Sequence, residues 1–187
     1  MPSSSQALLR DVADRWAAWK AGPEWEADAL VAIQSATHDV AGVLPTARVM
    51  SHVGEHALGW LGLSAAGALF DKRRRRQWCG LGTAALVAHA ASVVLKRVVR
   101  RPRPHDERIV VGVSTPSNHS FPSSHATSTT ATMAALAVLT GSSVPYVGAG
   151  AMMLSRMILG VHYPTDVTCG ALVGVAAAKA VMPYFEG

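Results

Sequence analysis

Between residues 109 and 155 the chain carries no Asp, Glu, Lys or Arg, while residues 72–108 hold 11 of its 17 Lys and Arg. A nucleic-acid binder spreads cations over a working face, whereas a protein threaded through a bilayer confines them to loops between apolar stretches. The second pattern is the one present. Composition agrees: 50% of the 187 residues are hydrophobic and 16% charged, against roughly 25% charged in ordinary soluble domains. A disordered chain is excluded on the same ground. The net charge of +5 by itself admits nucleic acid or an anionic membrane as partner, but no nucleic-acid motif and no aromatic-basic platform accompanies it. The expected partners are membrane lipids, not nucleic acid.

Hydropathy divides the chain into an N-terminal region, 1–50, and a membrane domain, 51–187. Five apolar stretches, 52–70, 78–95, 123–139, 144–161 and 165–184, each approach the roughly 20 residues that a spanning helix needs. The fold class expected is therefore all-α, a multispanning helix bundle of about five transmembrane helices with N-terminal interfacial helices. Gly170 and Gly174, four residues apart, suit close helix packing in lipid. Upstream, Leu8, Leu9, Val12, Trp16 and Trp19 fall on one helical face opposite Asp11, Asp14, Arg15 and Lys20, the pattern of an amphipathic helix at an interface or on a soluble core. Gly22 and Pro23 end it. Residues 28–50, with His38, Asp39, Pro45 and Arg48, read as an interfacial or re-entrant helix. Residues 1–21 lack the apolar segment of a cleavable signal peptide, so insertion is expected to be directed by the spans.

The basic run from Lys72 to Arg76 marks the loop after the first span as cytoplasmic, which puts the next loop, 97–122, on the periplasmic or outer face of the cell membrane. That outer loop is itself rich in arginine, which fits only if its cations serve an anion. Cys79 and Cys169 lie in apolar runs and are expected to be small buried hydrophobes.

Three segments at span ends carry chemistry: Lys96 through Arg103 and Pro104; Pro122, Ser123, Ser124 and His125; and Ser155 and Arg156 followed by His162 and Asp166. In a five-span topology all three reach one membrane face. Pro102 and Pro104 stop the second span near Arg100, leaving Lys96 on its last turns and Arg103 in the loop. Pro122 and Ser123 start a helix whose free N–H groups suit an anion, with His125 on the first turn. Arg156 and His162, six residues apart, are placed one helix stretch from each other, and Pro164 ends that helix near His162, so Asp166 meets the imidazole across a corner. A neutral histidine oriented by a carboxylate suits nucleophilic attack, and a second histidine can protonate a leaving oxygen. Lys96, Arg103 and Arg156 supply charge for a transferring phosphoryl group. No metal and no cofactor is required, because Asp166 is the one carboxylate in the set. Charges such as Arg156 and Asp166 in apolar spans are costly and mark function or pairing. Glu55, His56 and His89 are expected to pair inside the bundle, and His105 and His119 to be solvated loop residues.

These segments resemble the signature of the type 2 phosphatidic acid phosphatase superfamily, K-x6-R-P, P-S-G-H and S-R-x5-H-x3-D, with Ser124 standing where the family has Gly. The resemblance covers about 70 residues and implies a phosphohistidine on His162, orientation by Asp166, general acid catalysis by His125, and phosphate binding by Lys96, Arg103, Ser123, Ser124, Arg156 and the first-turn amides. Size and loop layout are similar to the actinobacterial polyprenyl-phosphate branch, which implies decaprenylphosphoryl-5-phosphoribose as the lipid-linked substrate. The alternatives are a polyprenyl diphosphate or phosphatidylglycerophosphate phosphatase and, outside enzymes, a lipid-phosphate binding scaffold. The two histidines and Asp166 speak against the scaffold, since binding alone needs only the cations.

Overall fold

The computed structural model describes residues 4–185; the outermost residues of the N-terminal region and membrane domain drawn above, 1–3 and 186–187, lie outside it. Among the described residues the fold is helical, with no strand: α1 (Ser4–Ala21), α2 (Glu24–Thr37), α3 (Val43–Val53), α4 (Leu58–Phe70), α5 (Arg75–Val99), α6 (Ser124–Thr140), α7 (Tyr146–Ile158) and α8 (Pro164–Val181).

At the centre stands α6, packed against α5, α7 and α8. Small side chains make this possible. A Cβ on Gly170 would lie 2.9 Å from the Ser123 carbonyl oxygen, and one on Gly174 would lie 2.4 Å from that of Thr127, so α8 meets the α6 backbone directly. Ala84, Ala88, Ala131, Ala134, Ala177 and Ala178 fill the remaining interfaces. Large apolar side chains point outward instead: Leu69 and Phe70 on α4, Leu86 and Val94 on α5, Val147 on α7 and Leu172 on α8 are exposed. Such an inverted surface suits lipid, not water.

Two helical stretches, Lys72–Val99 and Pro164–Phe185, are long and apolar enough to cross a membrane. With 13 residues each, α4 and α7 fall short of the roughly 20 residues of a full span. Cys79 is exposed and Cys169 half-buried, which corrects the expectation that both are buried; the face of α5 bearing Cys79 looks outward.

The N-terminal region holds α1, α2 and most of α3, so residues 28–50 are parts of two helices with a turn between them and not the single interfacial or re-entrant helix expected. On α1 the face of Leu8, Leu9, Val12 and Trp16 is exposed. Residues 28–50, by contrast, are folded onto the bundle. Leu30 of α2 is fully buried with Ile109 and Tyr163, and the Gln34 amide donates to the carbonyls of Val110 (2.8 Å) and Ile158 (3.0 Å) while accepting the Val110 N–H (2.9 Å). Ala47 of α3 packs against Ile158, Leu159 and Val161. These contacts hold the loop after α5 and the end of α7 in place, and both lead into the site.

Candidate active site

The end of α5 is set by its sequence. Arg100 takes a left-handed conformation (φ 51°) and returns its N–H to Lys96 O at 3.0 Å, and the two prolines that follow prevent another turn. Lys96, on the last turn, is 9% exposed and its Nζ donates to the His119 carbonyl at 3.0 Å. Arg103 comes back from the loop. Its Nε donates to Ser117 O at 2.7 Å and its Nη1 to Val161 O at 2.7 Å.

The start of α6 is capped by Ser123, whose Oγ accepts the Ala126 N–H at 3.3 Å. Ser123 is fully buried and gives its own N–H to the Asp166 carbonyl at 3.0 Å, so it stands behind the cavity wall. Ser124 faces the cavity, and its hydroxyl accepts from Ser92 Oγ of α5 at 2.8 Å. That bond stows the side chain where the resembled motif has glycine. His125 Nε2 donates to the Ser51 carbonyl at 2.9 Å, and Arg156 Nη1 donates to Ser51 Oγ at 2.7 Å. A single residue of α3 thus fixes both.

Helix α7 ends at Ile158, earlier than the proline at 164 suggested, because Gly160 adopts φ 66°, a conformation that favours glycine. Arg156 and His162 are therefore not joined by continuous helix; the loop folds His162 back toward the cations. Pro164 begins α8 instead of ending α7. Asp166 is the third residue of α8, where its Oδ2 accepts the Tyr163 N–H at 2.8 Å.

His162 is 2% exposed. Its Nε2 lies 3.3 Å from Arg103 Nη1 and its Nδ1 lies 3.7 Å from Asp166 Oδ2. Arginine can only donate, so this contact leaves the lone pair on Nε2 and the proton on Nδ1, facing the carboxylate. Nδ1 has no hydrogen-bond partner within reach. Burial first, then the charges of Arg103, Lys96 and Arg156, holds the His162 imidazole well below its usual pKa. That shift favours the neutral ring, the form in which an imidazole can attack as a nucleophile. Burial also lowers Arg103, to about 10, which leaves it a cation.

Lys96, Arg103, Ser124, His125, Arg156 and His162 line one cavity of about 440 Å³. Ser123 and Asp166 sit just outside it. Glu55, His56 and His89 line the same cavity; the His56 and His89 rings lie 6.1 Å apart, and Glu55 is 3.9 Å from His56. His119 also lines the cavity and is not merely solvated, while His105 is exposed.

Three residues escaped the sequence reading. Ser51 left no signal. Glu26 and Arg101 are both fully buried and joined by a short ion pair, and Arg101 Nη1 reaches Asp166 Oδ1 at 2.8 Å. An extra arginine beside Pro102 was visible in the motif; its acidic partner in the N-terminal region was not.

Known proteins resemble this chain in sequence and shape. The profile of the PAP2 superfamily matches residues 77–187. Decaprenylphosphoryl-5-phosphoribose phosphatase of Mycolicibacterium smegmatis is 54% identical over 148 residues, spanning 79% of this chain and 82% of that protein. The protein of the same name from Mycobacterium tuberculosis is 50% identical over 159 residues, spanning 85% and 90%. Among solved structures, Aquifex aeolicus LpxE superposes with a TM-score of 0.73 at 20% identity, covering 88% of this chain and 98% of its own. A PAP2-type phosphatidylglycerolphosphate phosphatase from Bacillus subtilis superposes at 0.66 and 22% identity, covering 95% and 94%.

Proposed function

The chain belongs to the PAP2 superfamily, and on that premise we propose that it is an integral membrane phosphatase that hydrolyses the phosphomonoester of decaprenylphosphoryl-5-phosphoribose through a phosphohistidine on His162. The observation that carries this reading is the buried, neutral His162, its Nε2 3.3 Å from Arg103 in a cavity shared with Lys96 and Arg156.

A phosphate seated among these cations presents phosphorus to Nε2. The N–P bond forms as the bond from phosphorus to the sugar oxygen breaks, and the leaving oxygen takes a proton from His125. His125 Nε2–H already donates to Ser51 O, so the transferred proton is carried on Nδ1 and His125 enters this step as the imidazolium, becoming the neutral ring as the proton leaves. His125 then takes a proton from water as the water oxygen attacks phosphorus, the N–P bond breaks, and inorganic phosphate leaves. Asp166 stabilises the imidazolium that forms on His162, and Lys96, Arg103, Arg156 and the first turn of α6 hold the equatorial oxygens. Ser123 supports this turn from behind, and Ser124 adds its backbone to it.

In this reading α4 through α8, within residues 51–187, sit in the cell membrane as one bundle, α5 and α8 crossing it in full and the shorter α4 and α7 packed beside them, and residues 1–50 lie against it, with the exposed apolar face of α1 in the interface. The cluster Lys72–Arg76 faces the cytoplasm, which puts the cavity on the outer face.

Phosphate release from purified protein in detergent tests the assignment. Turnover of decaprenylphosphoryl-5-phosphoribose, lost in His162→Ala while the protein still inserts, is expected; undiminished turnover in that variant removes the covalent mechanism. Preference for phosphatidylglycerophosphate or a polyprenyl diphosphate replaces the substrate and keeps the chemistry.

A further inference from the structure

We infer that Glu26 and Arg101 are positioning residues for the catalytic pair: Arg101 grips the Asp166 carboxylate, and Glu26 cancels the charge of Arg101, so that Asp166 keeps net negative charge to offer the His162 imidazolium. The inference rests on His162 acting as the nucleophile proposed above.

The geometry is unusually complete. Arg101 is fully buried, its guanidinium held between the rings of Trp19 at 4.4 Å and Tyr163 at 4.2 Å. Within that sandwich Nη1 donates to Asp166 Oδ1 and Thr165 Oγ1, both at 2.8 Å, and Nη2 donates to Glu26. The second oxygen of Glu26 accepts from Thr165, from its N–H at 2.9 Å and its hydroxyl at 2.7 Å. Planar arginine is suited to such fixed, two-sided pairing, and stacking fixes its plane. The Asp166 carboxylate is thereby aimed: one oxygen on Arg101, the other on the Tyr163 N–H and toward His162 Nδ1.

Charge explains why a glutamate stands behind the arginine. His162 already faces Arg103, Lys96 and Arg156, and attack on phosphorus adds a positive charge to its ring. Arg101 alone would neutralise Asp166 and leave that new charge surrounded by cations. With Glu26 present, the Glu26, Arg101 and Asp166 cluster carries one net negative charge, in a buried setting where charge is weakly screened. A clamp needed only to tie α2 to α8 is served as well by apolar side chains, since buried ion pairs are often replaceable without loss of stability. The N-terminal region thus reaches the chemistry through Trp19 and Glu26 without lining the cavity.

The test separates charge balance from support. In detergent, with decaprenylphosphoryl-5-phosphoribose as substrate, Glu26→Gln is expected to lower kcat about tenfold with KM within about twofold of the parent. Removing the arginine charge as well, in Glu26→Gln with Arg101→Met, is expected to restore kcat in part, to about threefold above Glu26→Gln, and to leave it below the parent because Asp166 loses the donor that aims it. A merely structural pair predicts the opposite, the double variant being the worse. A Glu26→Gln enzyme with parental kcat overturns the inference, as does a double variant no faster than Glu26→Gln alone. Thermal unfolding in detergent monitors the fold, and if Glu26→Gln does not accumulate, Glu26→Met, which also removes the charge, replaces it in the same comparison. Should the parent release no phosphate from this substrate, the substrate assignment fails by itself, and the same ratios are read on phosphatidylglycerophosphate. Retained turnover in His162→Ala identifies failure of the underlying mechanism.

Discussion

The two ends of α5 carry similar side chains in opposite settings. At its beginning, Lys72–Arg76 are exposed; Arg74 pairs with Asp71 at 2.6 Å and reaches the Leu139 carbonyl near the end of α6, and Arg76 reaches the Tyr184 carbonyl just beyond α8, each at 3.3 Å. Cations there meet the negative ends of helices, where the backbone welcomes them. At the other end Lys96 and Arg103 converge with Arg156 near the start of α6, a positive helix end whose first turn holds no acidic residue. Asp166 offsets the start of α8 but lies behind His162. Positive charge accumulates there in excess, Glu55 being the one carboxylate among the described lining residues against Lys96, Arg97, Arg103 and Arg156, and such an excess is favourable only when an anion enters. In the proposed reading the same residue types therefore anchor one end and recruit phosphate at the other.

The largest effect that can break this comparison is at His162. His162→Ala is expected to reduce phosphate release by at least about a thousandfold, since it removes the attacking atom. Loss of the cavity cations comes next: Arg103→Gln and Lys96→Met are each expected to cost about 10² to 10³-fold in kcat/KM, as for the removal of one preorganised donor at a transition-state oxyanion. Arg103→Lys is expected to lose less because it keeps the charge, but still to fall below the parent, because an ammonium cannot reproduce a guanidinium that spans the Ser117 and Val161 carbonyls and His162. Losses confined to KM in these variants would reduce the cations to ground-state binding and weaken the contrast with the far end of α5.

A pH profile sharpens the same point. Because burial and neighbouring cations depress His162 below the usual 6.5, it stays neutral as pH falls through that value, and the acid limb of single-turnover phosphoenzyme formation due to His162 should lie below it. Arg103→Gln removes one of the depressing charges. The His162 acid limb should then move upward, toward 6.5, so that the variant loses rate at a higher pH than the parent. An unmoved limb would mean that Arg103 does not set the protonation of the nucleophile.

Much of the active end was legible because its residues stand at element boundaries that leave marks in sequence. Pro102 and Pro104 place the end of α5 and so separate Lys96 from Arg103; Ser123 announces the start of α6 and brings His125 to its first turn. The end of α7 was misplaced because Pro164 was the visible stop, while the break comes at Gly160, whose need for positive φ no periodicity reveals. Glu26 was hidden for a different reason. It is one of two acids at the start of α2, where acidic residues serve the helix dipole routinely, and its partner Arg101 lies 75 positions away. Residues 28–50 read as marginally apolar because some of their buried contacts, such as those of Gln34 with the Val110 and Ile158 carbonyls, are polar bonds that hydropathy does not count.

The smallest expected effect belongs to the other end of α5, and it is the most discriminating. Changing Lys72, Arg73, Arg75 and Arg76 together to Gln, with Arg74 kept for its bond to Asp71, should leave kcat within about twofold of the parent in detergent, because exposed charges beyond a Debye length are screened from the cavity. Vanadate, which mimics the five-coordinate phosphorus, should still inhibit this variant and raise its melting temperature, whereas neither should survive in the variant carrying both Lys96→Met and Arg103→Gln. In membranes the order reverses. Protease accessibility of the loop at 72–76 should show mixed orientation once its charges are gone, since the cations that remain beside α5, from Lys96 to Arg108, lie at its other end and no longer face a competing cytoplasmic cluster. If the four substitutions instead abolish vanadate inhibition in detergent, the two ends of α5 act as one electrostatic unit, and the division between anchor and phosphate site fails.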